Sequence, residues 1–133
     1  MTGYLLDTDI CVHILRRKSV SARERLDHAA GDLFMSTVTL AELIFGGLKS
    51  HRPDRAAQEI EALAGRMTIL AFDAAAASAY AAIRLDLERA GTPIGPNDML
   101  IAAQAQSAGL IMVTGNRREF DRVPGLTVET WLV

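Results

Sequence analysis

Tyr4-Leu5-Leu6-Asp7-Thr8-Asp9-Ile10-Cys11-Val12-His13-Ile14-Leu15 sets the reading of the whole chain. A short apolar run closed by an acid is the pattern of a buried strand ending at a polar edge. Thr8 or Asp9 can cap a helix carrying Ile10, Val12, Ile14 and Leu15. A strand feeding directly into a helix is the start of a strand–helix alternation, and the remaining sequence repeats it.

Residues 21–29 read as a short amphipathic helix stopped by Gly31. Residues 33–35 read as a second strand, and Ser36 or Thr37 precedes a helix over 38–48 ended by Gly46-Gly47. Pro53 occupies the position favoured at a helix start, and that helix runs to Ala64 before Gly65. Residues 67–72 form a third strand. Asp73 caps an Ala-rich helix that reaches Ala90 and stops at Gly91. Gly95-Pro96-Asn97 is a turn, and a helix from Asp98 ends near Gly109. Residues 110–113 are a fully apolar fourth strand, 117–121 a helical turn, and 127–131 a final edge strand. The alternation predicts an α/β fold over residues 1–133 as one domain, with a mostly parallel central sheet flanked by helices. Such sheets bind ligands beyond the carboxyl ends of their strands, so the residues just after each strand carry the functional reading.

Composition narrows the classes. The chain has 133 residues, half of them hydrophobic, enough for a core without staples. Apolar runs are broken well before the ~18 residues of a membrane span, and the N-terminal residues lack the pattern of a signal peptide, which together predict a cytoplasmic protein. One cysteine, Cys11, excludes an internal disulfide and reads as a small apolar filler. The net charge of −2 is not that of a protein held on nucleic acid by bulk charge. Two local basic runs stand out: Arg16-Arg17-Lys18, and Arg117-Arg118.

Three carboxylates lie on three segments: Asp7 after the first strand, Glu42 on the helix after the second, and Asp98 at the start of the helix after the Gly-Pro turn. Glu42 sits among Val38, Leu40, Leu43 and Ile44, where burying a charge is costly unless it is paired or binds metal. Singly, each has a plain structural explanation, Asp7 as a cap and Asp98 at a helix dipole. Together they can converge above the sheet. An all-oxygen set suits Mg²⁺ or Mn²⁺, and no Cys or His spacing suggests zinc. The phosphate-binding loops Gly-x-x-x-x-Gly-Lys and Gly-x-Gly-x-x-Gly are absent, as is the Gly-x-Ser-x-Gly of serine hydrolases. His13, His28 and His51 read as surface or packing residues.

The chain resembles PIN-domain ribonucleases of the VapC type. Leu5-Leu6-Asp7-Thr8-Asp9 is similar to their opening strand and acid, and Ser36-Thr37-Val38-Thr39-Leu40-Ala41-Glu42-Leu43 to their second motif. The third corresponds to Pro93-Ile94-Gly95-Pro96-Asn97-Asp98-Met99-Leu100-Ile101-Ala102-Ala103, and the fourth to Val113-Thr114-Gly115-Asn116-Arg117-Arg118-Glu119-Phe120. Four short motifs in order and at family spacing cover essentially the whole chain. The resemblance implies a PIN-like three-layer sandwich and the toxin of a toxin–antitoxin pair. It implies a Mg²⁺- or Mn²⁺-dependent endoribonuclease acting on RNA, with tRNA among the family's substrates, and a toxin that homodimerises. A VapB-type antitoxin blocks the site and carries the pair to operator DNA. Asp7 and Asp98 would be metal ligands, with Glu42 a ligand or water-orienting base. Asn116 stands where many PIN domains have a fourth acid, and Glu119, one helical turn on, can take that role instead. Thr114 is a candidate supporting hydroxyl. Arg16, Arg17, Lys18, Arg117 and Arg118 are candidate RNA grips. Asn116 also sustains the alternative of a catalytically idle PIN fold that docks a protein or RNA.

Overall fold

The computed structural model describes residues 3–29 and 32–132. Its elements are β1 (Tyr4–Leu6), α1 (Thr8–Leu15), α2 (Val20–His28), β2 (Leu33–Ser36), α3 (Thr37–Leu48), α4 (Pro53–Ala64), β3 (Thr68–Leu70), α5 (Ala74–Ala90), α6 (Pro96–Ala108), β4 (Ile111–Thr114), α7 (Arg117–Phe120) and β5 (Val128–Thr130). The strands form one sheet in the order β3-β2-β1-β4-β5, and every neighbouring pair is parallel. Tyr4 is in register with Leu33 on one side and Ile111 on the other, which puts β1 at the centre.

The two-residue period of a strand sorts its side chains to opposite faces. Leu6, Met35 and Val113 pack with Ile10, Cys11 and Ile14 of α1, Leu26 of α2, Leu43 of α3, and Ile60 and Leu63 of α4. Leu5 and Met112 pack with Ile83 and Leu87 of α5, Ile101 and Ala102 of α6, and Phe120 of α7. A sheet buried on both faces needs strands that are apolar throughout, as Leu5-Leu6 and Met112-Val113 are. Trp131, 1% exposed, closes the first layer with its ring edge-on to Tyr4 and Arg25 over its face.

Chain order reverses at β1. The chain passes from β1 outward to β2 and β3, then returns through α5 and α6 to β4 on the other side. The crevice at such a reversal is where an open parallel sheet receives ligands. Asp7 follows β1 and Thr114 ends β4, so both stand at that crevice.

Several boundaries depart from expectation. The cap of α1 is Asp7, whose carboxylate accepts from the backbone N–H of Ile10, rather than Thr8 or Asp9. Helix α3 ends at Leu48 as expected, but Gly46-Gly47 lies inside its last turn rather than beyond it, and α4 packs across it. A Cβ on Gly47 would sit 3.0 Å from Ile60 Cδ1 and 3.3 Å from Ala56 Cβ, so glycine there permits close helix packing. Gly95 caps α6, and Pro96 and Asn97 are its first turn, not a separate turn. The sheet edges are shorter than expected: β3 spans three residues and β5 ends at Thr130. Gly31, expected to stop α2, lies outside the described residues. No helix among the described residues is long and apolar enough to cross a membrane.

Candidate active site

Asp7 is built in by its neighbours. One carboxylate oxygen accepts from Ile10 N–H at 2.8 Å and the other from the Thr114 hydroxyl at 2.5 Å, while its own N–H donates to Val113 O. It is 3% exposed. Burial pushes its pKa up to about 6, against the pull of the Ile10 and Thr114 hydrogen bonds, and the nearby charges of Asp9 and Glu42 add to the rise. Thr114 is fully buried and also accepts from Asn116 N–H at 3.0 Å, so one hydroxyl fixes both Asp7 and the start of the following loop.

Glu42 is half-buried on α3 and is held by Thr8, whose hydroxyl donates to it at 2.6 Å and lies 3.2 Å from that of Thr39. Asp98, in the first turn of α6, is half-buried and lies against Gly95, whose N–H holds Glu119 of α7. Its pKa rises to about 7, first through burial, then through Glu119, with Asp7 and Glu42 contributing. Like charges brought close together disfavour each other's ionised form, and a cation relieves them. Glu119 is oriented by the N–H of Gly95, which donates to it at 3.2 Å.

The structure therefore brings Asp7, Glu42, Asp98 and Glu119 into one electrostatic neighbourhood. Asn116 is exposed, and its backbone rather than its side chain makes the local hydrogen bond. Thr8 and Thr39 are positioning residues that sequence reasoning does not single out. A signal for Thr39 is present, since it lies three positions before Glu42 and so shares its helix face. Asp9, expected only as a cap, has a further role. Its carboxylate lies against Gly115, where any side chain would collide with it, and 3.6 Å from the His13 ring. Arg117 and Arg118 are exposed beside the site as expected, but Arg117 directs its guanidinium to Asp121 at 3.0 and 3.3 Å. Arg16, Arg17 and Lys18 are exposed at the far end of α1.

Among the described residues, no three acidic, histidine or cysteine side chains close into a ready-made metal cage. The donor chemistry nevertheless fits a hard cation. Mg²⁺ retains several waters and takes one or two carboxylates, which an open, all-oxygen cleft supplies. Asp98 Oδ2 lies against Gly95, whose N–H donates to Glu119, so the two acids meet at one glycine where a cation would offset their charge.

This electrostatics has a measurable consequence. Asp7 and Asp98 hold protons in the folded chain that the unfolded chain, near the ordinary value of 3.8, releases. Their contribution to stability is complete below that value and is lost as pH rises through about 6 to 7. The Tm in EDTA is expected to fall between pH 5 and pH 8, and Mg²⁺ or Mn²⁺ at pH 8 to restore it by binding the folded state. A Tm in EDTA that stays level or rises across that range would show that these carboxylates are not strained.

A carboxylate-lined crevice at the reversal point of a five-stranded parallel sheet is the arrangement of a PIN-type nuclease. The PIN domain family model matches residues 4–126, and the chain belongs to that family. Within it the chain stands among the VapC ribonucleases. It is 47% identical over 131 residues to the tRNA(fMet)-specific endonuclease VapC of Shigella flexneri, covering 98% of this chain and 99% of that one. It is 40% identical, at the same coverage, to the tRNA(fMet)-specific endonuclease VapC of Salmonella typhimurium. The solved structure of DNA-bound VapBC from Salmonella typhimurium superposes with a TM-score of 0.94 at 40% identity, covering 98% of this chain and 99% of that chain. VapBC2 from Rickettsia felis bound to a promoter DNA fragment gives 0.92 at 33% identity and the same coverage. PIN-domain nucleases are in general divalent-metal dependent.

Proposed function

We propose that this chain is the toxin of a toxin–antitoxin pair and hydrolyses RNA phosphodiester bonds with Mg²⁺ or Mn²⁺, initiator tRNA being the substrate. The observation that carries the chemistry is the grouping of Asp7, Glu42, Asp98 and Glu119, with Asp98 and Glu119 meeting at Gly95 and Asp7 and Glu42 held by Thr114 and Thr8. Such a group of acids is costly without a cation and repels phosphate until one is bound. The names of the two relatives, both tRNA(fMet)-specific endonucleases, support the substrate.

In this reading Asp7 and Asp98 hold the metal, with Glu42 and Glu119 as further ligands or water-orienting groups. When bound, the ion neutralises phosphate charge and lowers the pKa of a coordinated water. The protein's own residues do the positioning. Thr114 and the Ile10 N–H hold Asp7 in one rotamer, Thr8 holds Glu42, and the Gly95 N–H holds Glu119. Glu42 or Glu119 accepts the proton of the attacking water, and the phosphodiester's leaving oxygen is protonated from solvent.

The partner is a VapB-type antitoxin, which contacts operator DNA on the toxin's behalf, and the toxin itself forms a homodimer. Support comes from the solved relatives, which are VapBC complexes, two of them with DNA. Support also comes from Ile44, Phe45 and Leu48, large apolar side chains that α3 leaves exposed beside an apolar groove of about 410 Å³ against α4. A partner's guanidinium placed among Asp7, Glu42 and Asp98 would satisfy the acids as a metal does.

The test is purified chain with total RNA and with initiator tRNA, followed by mapping of new 5′ ends. Cleavage at a unique tRNA position with Mg²⁺ or Mn²⁺, abolished by EDTA, is expected. Full activity in excess EDTA would overturn the metal chemistry, and uniform degradation of all RNAs would overturn the substrate.

A further inference from the structure

The carboxylate site repels RNA, so the substrate backbone must be held elsewhere, and the structure offers a second site with the right charge. Between the end of α1, α2 and α4 lies a pocket of about 170 Å³ lined by Leu15, Arg17, Arg23, Glu59, Leu63 and Arg66. Since a water occupies roughly 30 Å³ of liquid, there is room for a tetrahedral anion. Three guanidiniums line it with one carboxylate; that carboxylate, Glu59, pairs with Arg55, and Arg66 pairs with the exposed Asp27 at 2.7 Å, which leaves Arg17 and Arg23 as the cations without an acidic partner among the described residues.

Two details point to an occupant. Arg23 Nε is buried without a hydrogen-bond partner among the described residues, and Arg23 Nη2 reaches only Ile14 O at 3.5 Å. A buried, unsatisfied charged donor is costly unless an acceptor arrives. Arg17 has φ 56°, the only positive value at a non-glycine residue among those described. It closes α1 through Arg17 N–H to Ile14 O and Lys18 N–H to His13 O, a helix ending that ordinarily takes glycine. A strained arginine lining an arginine pocket is an outlier that asks for a functional reason.

The pocket is also joined to the active site. The adjoining groove is lined by Leu15, Arg16, Glu42 and Glu59, sharing Leu15 and Glu59 with the arginine pocket and Glu42 with the acids. The separation is about the length of α1, eight residues or ~12 Å, a few nucleotides of RNA.

We propose that Arg17, Arg23 and Arg66 form a phosphate site that holds the RNA backbone along this groove, one helix length from the bond being cut. The inference rests on the ribonuclease reading. An arginine fork matches a phosphodiester bidentately, which suits the donors that line the pocket.

The test uses the Asp98→Asn chain, which holds RNA uncut, with Mg²⁺ and a fluorescently labelled single-stranded RNA read by anisotropy across a salt series. Adding Arg17→Gly with Arg23→Gln is expected to weaken binding about tenfold. The slope of log affinity on log salt should fall by about 0.7 for each phosphate that is no longer neutralised. Arg84→Gln, on the opposite layer, is the control and should change neither. Arg17→Gly alone should weaken binding while keeping or raising Tm, since glycine relieves the turn; a structural arginine would lower both together. Arg66→Ala, at an exposed position where it removes only the surface pair with Asp27, guards against misfolding of the double variant and should weaken binding in the same direction. Affinity and slope unchanged in both the double variant and Arg66→Ala would overturn the phosphate site. So would unchanged RNA binding with loss of antitoxin binding, which would assign the pocket to an acidic segment of the partner. If the wild-type chain still cuts RNA in either case, the ribonuclease reading survives. If it cuts no RNA with any divalent metal, that reading fails first.

Discussion

Asp98→Asn is expected to reduce RNA cleavage by about three orders of magnitude while raising the Tm of the metal-free protein at pH 8. The two effects have one cause. Asp98 faces Glu119 and lies in the field of Asp7 and Glu42, so its charge is costly in the free enzyme and needed in the loaded one. Removing it abolishes a ligand charge, and several kcal/mol of charge stabilisation at 1.36 kcal/mol per decade gives the loss of rate. It also removes the repulsion that burial makes expensive. Stopped cleavage with unchanged or lowered Tm would mean that Asp98 is a structural acid whose loss merely unsettles α6.

Glu119→Gln is expected to cost about two orders of magnitude in cleavage rate, roughly 2.7 kcal/mol, and Asn116→Ala only a few-fold. Glutamine keeps an oxygen for the Gly95 N–H but has no charge to offer beside Asp98. Asn116 contributes its backbone N–H to Thr114, which alanine retains, and its side chain is exposed. Steady-state cleavage of one RNA by both variants at saturating metal decides the matter. Equal losses, or a larger loss at Asn116, would return the fourth position to the asparagine.

The contrast shows what the chain's letters carry and what they do not. The places of Asp7, Glu42 and Asp98 in the fold are legible because Asp7 follows a strand, Asp98 opens a helix and Glu42 lies within one, and the apolar pattern of each element is local. The parallel sheet is legible for the same reason, since Leu5-Leu6 and Met112-Val113 must be buried on both faces. The choice between Asn116 and Glu119 is not, because it depends on how α7 meets α6 across the chain. The end of α3 is legible, but the reason it accommodates two glycines in its last turn is not. Glycine weakens an isolated helix, but packing against Ile60 and Ala56 of α4 decides the outcome, and that is tertiary. Asp7, Thr8 and Asp9 are all good caps, so sequence does not rank them. The Arg117–Asp121 pair is implicit in its spacing of four residues, and it leaves Arg118 as the freer cation of the two.

Asp7 caps α1 and, in the proposed function, holds the metal as well, and this shapes how the gene can be silenced. Asn caps a helix as well as Asp does, so an Asp7→Asn allele is expected to encode a protein that still folds, still presents the groove between α3 and α4, and no longer cuts. Under the proposed function such an allele would not be null: its product would compete with the intact toxin for antitoxin, and in a cell carrying both copies the harmless one would set the active one loose. Loss of chemistry at this position would then be dominant in its effect on growth, whereas a change that destroys the fold would be recessive.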